Sequence, residues 1–439
     1  MRILSQGRER TIFQCSPVID DMSLSTLYLC YFGLREPLVQ TQVLPYLRQL
    51  AAGGIKVHLL TFEPKLKALW SEEAIRKQSE ELARQGIQWY RRPYHKSPSG
   101  PATLYDILVG GLFVARVARR EKIEILHARA HVPMAMALWA RRFVNVKLVF
   151  DIRGLMAEEY ADSGIWAERS LPFRLVKRLE RAGIRHAHQI VVLTNRLRDW
   201  LVERNLKPAE QIEVIPCCVD FERFSQTVEE ETAAVAQTCE SNFEVVYAGS
   251  LMGLYLVEEM GRFFRAVKSQ RPNAFLRILS LSPPHEGREA LKRAGLDESD
   301  FEIQAVSPEG VPEYLRRARL GISLRKAAFA QIAASPTKVP EYLAVGLPVI
   351  CNAGTGDVDK LLEGERVGVI LRSFDDEACQ AAAAQAIILA EDEAVRAHCR
   401  SVARAYFDLQ SVGGARYLSL YRRLDGSAPL PAEGLKAAL

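Results

Sequence analysis

The sequence predicts an α/β protein made of two doubly wound, Rossmann-like domains facing a central cleft. Three observations carry that prediction. The chain has 439 residues, too many for one ordinary core. Short apolar runs alternate with helical stretches along most of its length, as parallel sheets require. The alternation breaks once, near the middle, at a charged and poorly periodic stretch from Val228 to Asn242.

The first domain opens with LYLCYF from Leu27, a nearly all-apolar run ending at Gly33, which suits a strand buried on both faces. Helical spacing over Gln42 to Ala52 stops at Gly53 and Gly54, and IKVHLLTF from Ile55 supplies the next strand. The unit recurs with a helix over Ser71 to Gln85 and a strand over Ile87 to Tyr90. A long helix over Leu104 to Glu121 leads to a strand over Ile123 to His127, and a helix over Ala135 to Phe143 to a strand over Lys147 to Ile152. A basic helix over Leu171 to Ala187, a strand from Gln189, a helix over Asn195 to Glu203 and a strand from Ile212 complete this half, and Pro216 ends it.

The second domain starts with a strand over Phe243 to Ala248 that reaches Gly249. Helices follow over 257–270, 288–294, 311–318 and 376–390, with strands over 275–280, 301–306, 321–324 and 367–371. The expected boundaries are a poorly structured lead-in over 1–26, a first domain over 27–216 and a second over 217–405. A C-terminal helix over 406–424 is expected to pack back on the first domain, ahead of a tail over 425–439.

Composition limits the function classes. With 48% hydrophobic and 25% charged residues the chain reads as globular. No apolar run approaches the roughly 18 residues of a membrane span, and no stretch of signal-peptide length opens the chain. The eight cysteines form no CxxC pair, which fits a reducing cytoplasm and gives no zinc site. Residues 1–220 hold 33 Lys and Arg against 23 Asp and Glu, leaving 25 against 30 for the remainder. The first half is therefore near +10 and the second near −5, so an anionic membrane or phosphorylated lipid is a candidate partner for the first; the alternative is an uneven solvated surface. There is no GxGxxG after the first strand and no GxxxxGK[ST], against a nicotinamide dehydrogenase or a P-loop ATPase.

The most informative stretch is SPTKVPEYLAVGLPVI, from Ser335 to Ile350. Ser335 suits a helix cap, Pro336 a first turn, and Gly346 a left-handed stop before the next strand. Free amides over Ser335, Thr337 and Lys338, with the lysine charge, would receive an anion. Glu341, three residues on, shares the lysine's face and could accept from sugar hydroxyls. The plainer alternative is a capped amphipathic helix with an ion pair.

That stretch, with IEVIPCCVDFERF from Ile212 and VVYAGSL from Val245, resembles the GT-B glycosyltransferases, specifically the retaining family-four-like group. The resemblance runs from about residue 27 to near the end of the chain. It implies a GT-B fold and transfer of a sugar from a nucleotide-sugar substrate to a saccharide or lipid-linked acceptor, in polysaccharide or glycolipid assembly. It also implies no cofactor, no metal and no nucleic-acid partner. By resemblance Glu341 holds the ribose, and Gly249 and Ser250 form the phosphate loop. The chain departs from the family in three places. Cys217 and Cys218 replace the usual Asn-Gly, no Arg or Lys follows Gly249, and Ala333 stands where the earlier of two glutamates is usual. Arg325, with Lys326 beside it and Lys338 in the next loop, could replace the missing phosphate clamp.

Residues at first-domain strand ends complete the candidates. Gly33 would leave room for the donor. Asp151 and Arg153 would position the acceptor or touch the donor, or else form a strand-end ion pair. Arg129 and His131 would contact the acceptor, His131 otherwise being a helix cap or a solvent-exposed side chain. His127 and His131 stand four apart without an evident third metal ligand. A GT-B epimerase and an inactive homologue are the competing functions.

Overall fold

The computed structural model describes residues 24–225 and 243–426. The expectations for most of the lead-in, for Val228 to Asn242 and for the end of the tail lie outside the described residues. Two parallel sheets organise the rest. The first has the order β3-β2-β1-β4-β5-β6-β7, formed by β1 (Ser25–Cys30), β2 (Lys56–Pro64), β3 (Ile87–Tyr94), β4 (Ile125–Arg129), β5 (Lys147–Asp151), β6 (Gln189–Val192) and β7 (Ile212–Val214). The second has the order β10-β9-β8-β11-β12-β13, formed by β8 (Phe243–Ala248), β9 (Ala274–Leu279), β10 (Phe301–Gln304), β11 (Leu320–Ser323), β12 (Val349–Asn352) and β13 (Gly368–Leu371). Every residue of β1 is buried, which is why the run around it is apolar on both faces.

Strand order reverses between β1 and β4 in one sheet and between β8 and β11 in the other. Ligands bind beyond the strand ends at such switch points. Gly33 and His131 follow the first pair, Gly249 and Arg325 the second.

Seven helices bear on the site and its surroundings in the first domain and the nucleotide segment. They are α1 (Leu44–Ala52), α2 (Ser99–Arg120), α3 (His131–Ala140), α4 (Met156–Asp162), α5 (Leu171–His186), α6 (Asn195–Glu203) and α7 (Lys338–Ala344). Helix α3 packs between α2 and α5. Helix α2 starts at Ser99, ahead of the expected Leu104, and α3 at His131 instead of Ala135. Contrary to the sequence expectation, α2 is long and apolar enough to cross a bilayer by length and composition, although 44% of its apolar 18-residue stretch is buried inside the domain. Its acid Asp106 does not interrupt the apolar surface, because it is buried beneath Tyr31, whose hydroxyl donates to it at 2.7 Å.

The chain end also differs from expectation. Instead of one helix over 406–424, α8 (Glu393–Phe407) and α9 (Ala415–Asp425) are joined by a wide turn, Leu409–Gly414. Asp408 makes the break: it is extended, and its carboxylate accepts from the Ser411 amide and hydroxyl at 2.8 and 2.6 Å. Gly413 then lies so close to Tyr46 that a Cβ would come within 2.6 Å of the ring. Helix α9 lies on the first sheet, with the Tyr421 hydroxyl 3.0 Å from Thr26 Oγ1 and 2.9 Å from His127 Nδ1.

Candidate functional site

Lys338 opens α7, and its side chain is only 5% exposed. Nζ sits 4.1 Å from the ring centroid of Tyr247 and 4.3 Å from that of Tyr255, and finds no hydrogen-bond acceptor. Burial, and then the Arg325 charge, hold its pKa well below the ordinary lysine value against the pull of Glu341. Gly249, at φ +148°, closes over it: a Cβ there would stand 2.9 Å from Nζ. The turn after β8 thus needs glycine both for its backbone and for the lysine beneath it.

Arg325 follows β11, with its backbone fixed to Asn352 by bonds of 2.8 and 2.9 Å. Its guanidinium lies 5.2 Å from the Tyr255 ring, and its buried Nε has no hydrogen-bond partner. Lys338, Arg325 and Gly249 therefore come together as the sequence suggested. A buried amine and a guanidinium with donors to spare can receive a diphosphate.

Glu341 is close enough to Lys338 to feel its charge, yet its nearest cation partner is Arg223, with Nη1 3.8 Å from Oε1. Burial pushes its carboxyl up to about 7, against Arg223 and Lys338. Ser335 departs from expectation. The cap position of α7 is Thr337, without a side-chain bond, and the Ser335 hydroxyl instead accepts from the Cys217 amide at 3.1 Å. The physical reason is the interdomain linker, whose amide comes within reach of the hydroxyl. Thr337 is half-buried, and Ser250 Oγ serves its own loop, 3.2 Å from Ser282 Oγ and from the Met252 amide. Lys326 reaches across to the Asp162 carbonyl at 2.8 Å.

The first-domain candidates are placed differently. Asp151 is fully buried, with Oδ2 receiving the hydroxyls of Tyr28 at 3.3 Å and Tyr417 of α9 at 3.2 Å. Arg153 Nε lies 3.3 Å and Arg129 Nη1 3.7 Å from the same oxygen. Burial raises the Asp151 pKa, but Arg153, His127 and Arg129 outweigh it and hold the carboxyl well below its usual range. The expectation that Asp151, Arg153 and Arg129 face an open cleft is thereby corrected: α9 and α1 cover the strand ends, and the three form a buried ion cluster. His131 is neither a cap nor exposed, since it is 2% exposed with Nε2 3.1 Å from Glu180 Oε2. His127 turns instead to Tyr421, so the two histidines do not converge. Gly33 needs no unusual backbone. It is glycine because a Cβ would meet Pro64 Cδ at 2.8 Å.

Two features were missed in the sequence. Glu159, on α4, is a first-domain carboxylate in the electrostatic reach of Arg325 and His131; burial raises its pKa, and Arg325 and His131 oppose that. The acidic pair Glu158 and Glu159 after FDIRG was its only sequence signal. The second is a clamp between domains. Asp357 caps α6 from the other domain, accepting from the Asn195 amide at 2.6 Å and the Arg196 amide at 3.1 Å. Arg196 returns two bonds of 2.8 and 2.9 Å to Asp359. Among the described residues no three His, Cys, Asp or Glu side chains group as a metal site.

Residues 39–223 match the profile of Glycosyltransferase Family 4. The fold is GT-B. No protein of curated function matches it. Sucrose-phosphate synthase from Thermosynechococcus elongatus is similar in fold at 15% identity, with a TM-score of 0.69 over 92% of this chain and 100% of that one. The Anabaena protein HepE in complex with UDP aligns at 13% identity and a TM-score of 0.64, over 90% of this chain and 99% of that one. WaaG, a glycosyltransferase involved in lipopolysaccharide biosynthesis, aligns at 16% identity and a TM-score of 0.63, over 91% and 100%. This GT-B chain shares their two-domain plan at low identity.

Proposed function

We propose that this protein transfers a hexosyl group from a nucleotide-sugar donor to a saccharide or lipid-linked acceptor, with retention at the anomeric carbon and without a metal. The setting is assembly of a surface polysaccharide or glycolipid, in the cytoplasm and at the membrane's inner face. The observation that carries the reading is Lys338, a buried amine without an acceptor beneath Gly249 and beside Arg325. Such an amine is costly unless something anionic completes it. A donor's diphosphate would do so, and the negative charge that grows on the departing nucleoside diphosphate would be held by Lys338 and Arg325. Glu341, ionised, would accept from the ribose hydroxyls. The UDP bound by the similarly folded HepE supports a nucleotide donor.

Ala333 is fully buried and offers no carboxylate to the donor sugar. Glu159 takes that part in this reading, from the opposite domain. The same absence favours an inactive nucleotide-binding homologue as the second reading. A thermal-shift screen against UDP, GDP, ADP and CMP sugars, followed by turnover assays, separates the outcomes. Stabilisation with transfer or slow hydrolysis supports the proposal. Stabilisation without turnover supports the second reading, epimerised donor without acceptor points to an epimerase, and no stabilisation by any donor overturns nucleotide binding.

A further inference from the structure

Helix α2 is apolar on the side that should be wet. Leu104, Leu108 and Leu112 are 57%, 41% and 51% exposed, and at this spacing they form one stripe over more than two turns. The stripe runs on into Arg116 and Arg119 on the same face. On the other side of α3, helix α5 repeats the pattern: Leu171 and Leu175 are 69% and 51% exposed, beside Arg174, Arg178, Arg181 and Arg185. The acids of both helices, Asp106 and Glu180, are buried, so every exposed charge within α2 and α5 is positive. Among the described residues none of these six arginines pairs with an acid, whereas Arg120 is matched by Glu121 at 2.6 Å just beyond the end of α2. Between Leu112, Phe143, Arg116 and Arg119 lies an open pocket of about 500 Å³, with an apolar floor and an arginine rim.

From this we infer that the outer face of α2, α3 and α5 docks on an anionic lipid bilayer, the leucines entering the acyl boundary and the arginines meeting phosphate headgroups. An apolar stripe continued by basic residues, with no exposed acid, is the chemistry of an interfacial helix. An ordinary solvated face would mix both signs. The apolar half of α2 is tied through Asp106 to Tyr31, at the end of β1 where the cleft opens, so the docked face would bring membrane lipid beside the candidate site. The inference deepens the proposed function by making the acceptor lipid-linked, and it rests on that reading for the acceptor alone.

The test is flotation of the full chain with vesicles of equimolar phosphatidylglycerol and phosphatidylcholine, which needs no turnover and so can succeed or fail independently of the transfer reading. The wild type should float with these vesicles, less so as salt rises from about 0.05 to 0.5 M, and not with phosphatidylcholine alone. Leu108→Glu with Leu112→Glu should cut the floated fraction about tenfold, and Arg116→Glu with Arg119→Glu should do likewise and flatten the salt dependence. Lys77→Glu, on an exposed helix elsewhere in the same domain, should leave flotation unchanged, and unaltered melting temperatures confirm that the variants fold. Wild type that stays with the protein fraction, or leucine variants that float as well as wild type, would overturn the inference. So would light scattering that shows a wild-type dimer, dissociated by the leucine variants, without lipid binding, since the face would then join two copies of this chain.

Discussion

Each domain buries positive charge near its strand ends, but to different effect. In the first, Arg129 and Arg153 converge on Asp151, and tyrosines from β1 and α9 fill out the carboxylate's shell. In the second, Lys338 is as deeply buried and lies against two aromatic rings, with no hydrogen-bond acceptor among the described residues. A buried charge with its partner in place is scaffold, costly to break and closed to a ligand. A buried basic group lacking a partner is a socket that an incoming anion completes. Side-chain type alone does not separate these cases; the partner does.

Breaking the scaffold should have the largest effect. Asp151→Asn leaves two arginines facing each other without a counter-charge and weakens the bond from Tyr417. It should destabilise the first domain by about 3–5 kcal/mol and free α9, as measured by denaturant unfolding. A loss below about 1 kcal/mol would put this cluster among the exposed pairs that contribute little. Next is Arg325→Ala, which should lower turnover about a hundredfold while changing donor affinity far less, because its charge acts on the leaving group. Equal losses in kcat and affinity would make it a binding residue only.

Lys338→Met tests the socket from the other side. Replacing a desolvated amine by an apolar chain of similar shape should leave the empty protein as stable or raise its melting temperature, yet weaken nucleoside diphosphate binding by about 1–3 kcal/mol. A variant that melts lower and binds as before would show that the lysine is structural. Smallest is the pH effect of Glu341. With its carboxyl near 7 in the folded protein against 4.5 as a free group, the folded state holds the extra proton between those values. Its contribution to stability is therefore full below about 4.5 and is lost as pH rises toward 7. Ribose recognition runs the other way, and nucleotide affinity should rise as pH passes 7, a slope that Glu341→Gln removes. A variant with the wild-type slope would assign the dependence to another group.

Much of the fold was legible because burial on both strand faces writes itself as apolar runs, and helices such as Val257–Gln270 and Asn195–Glu203 agree with their expected bounds. The C-terminal end was not. Asp408 and Gly413 with Gly414 break the helix through contacts to Ser411, Tyr46 and Gln49, which periodicity does not reveal. Within the site, Gly249, Arg325 and Lys338 were readable as strand-end residues, and the structure brings them together. Asp151, Arg153, Arg129 and His131 carried the same signal, but their cover, Gln42 ahead of α1, Glu180 on α5 and Tyr417 on α9, arrives from 49 to 266 residues away. Glu159 escaped because its significance depends on Arg325 in the other domain.

The central claim is that Lys338 waits as a desolvated amine, without a partner, that a diphosphate completes as a cation. Calorimetric titration of UDP into wild type and Lys338→Met at alkaline pH, in two buffers of different ionisation enthalpy, measures protons exchanged on binding. Because burial holds the lysine's pKa low and a bound diphosphate restores it, wild type should take up a proton that the methionine variant does not. Equal proton uptake by both proteins, or equal affinity, would contradict the account.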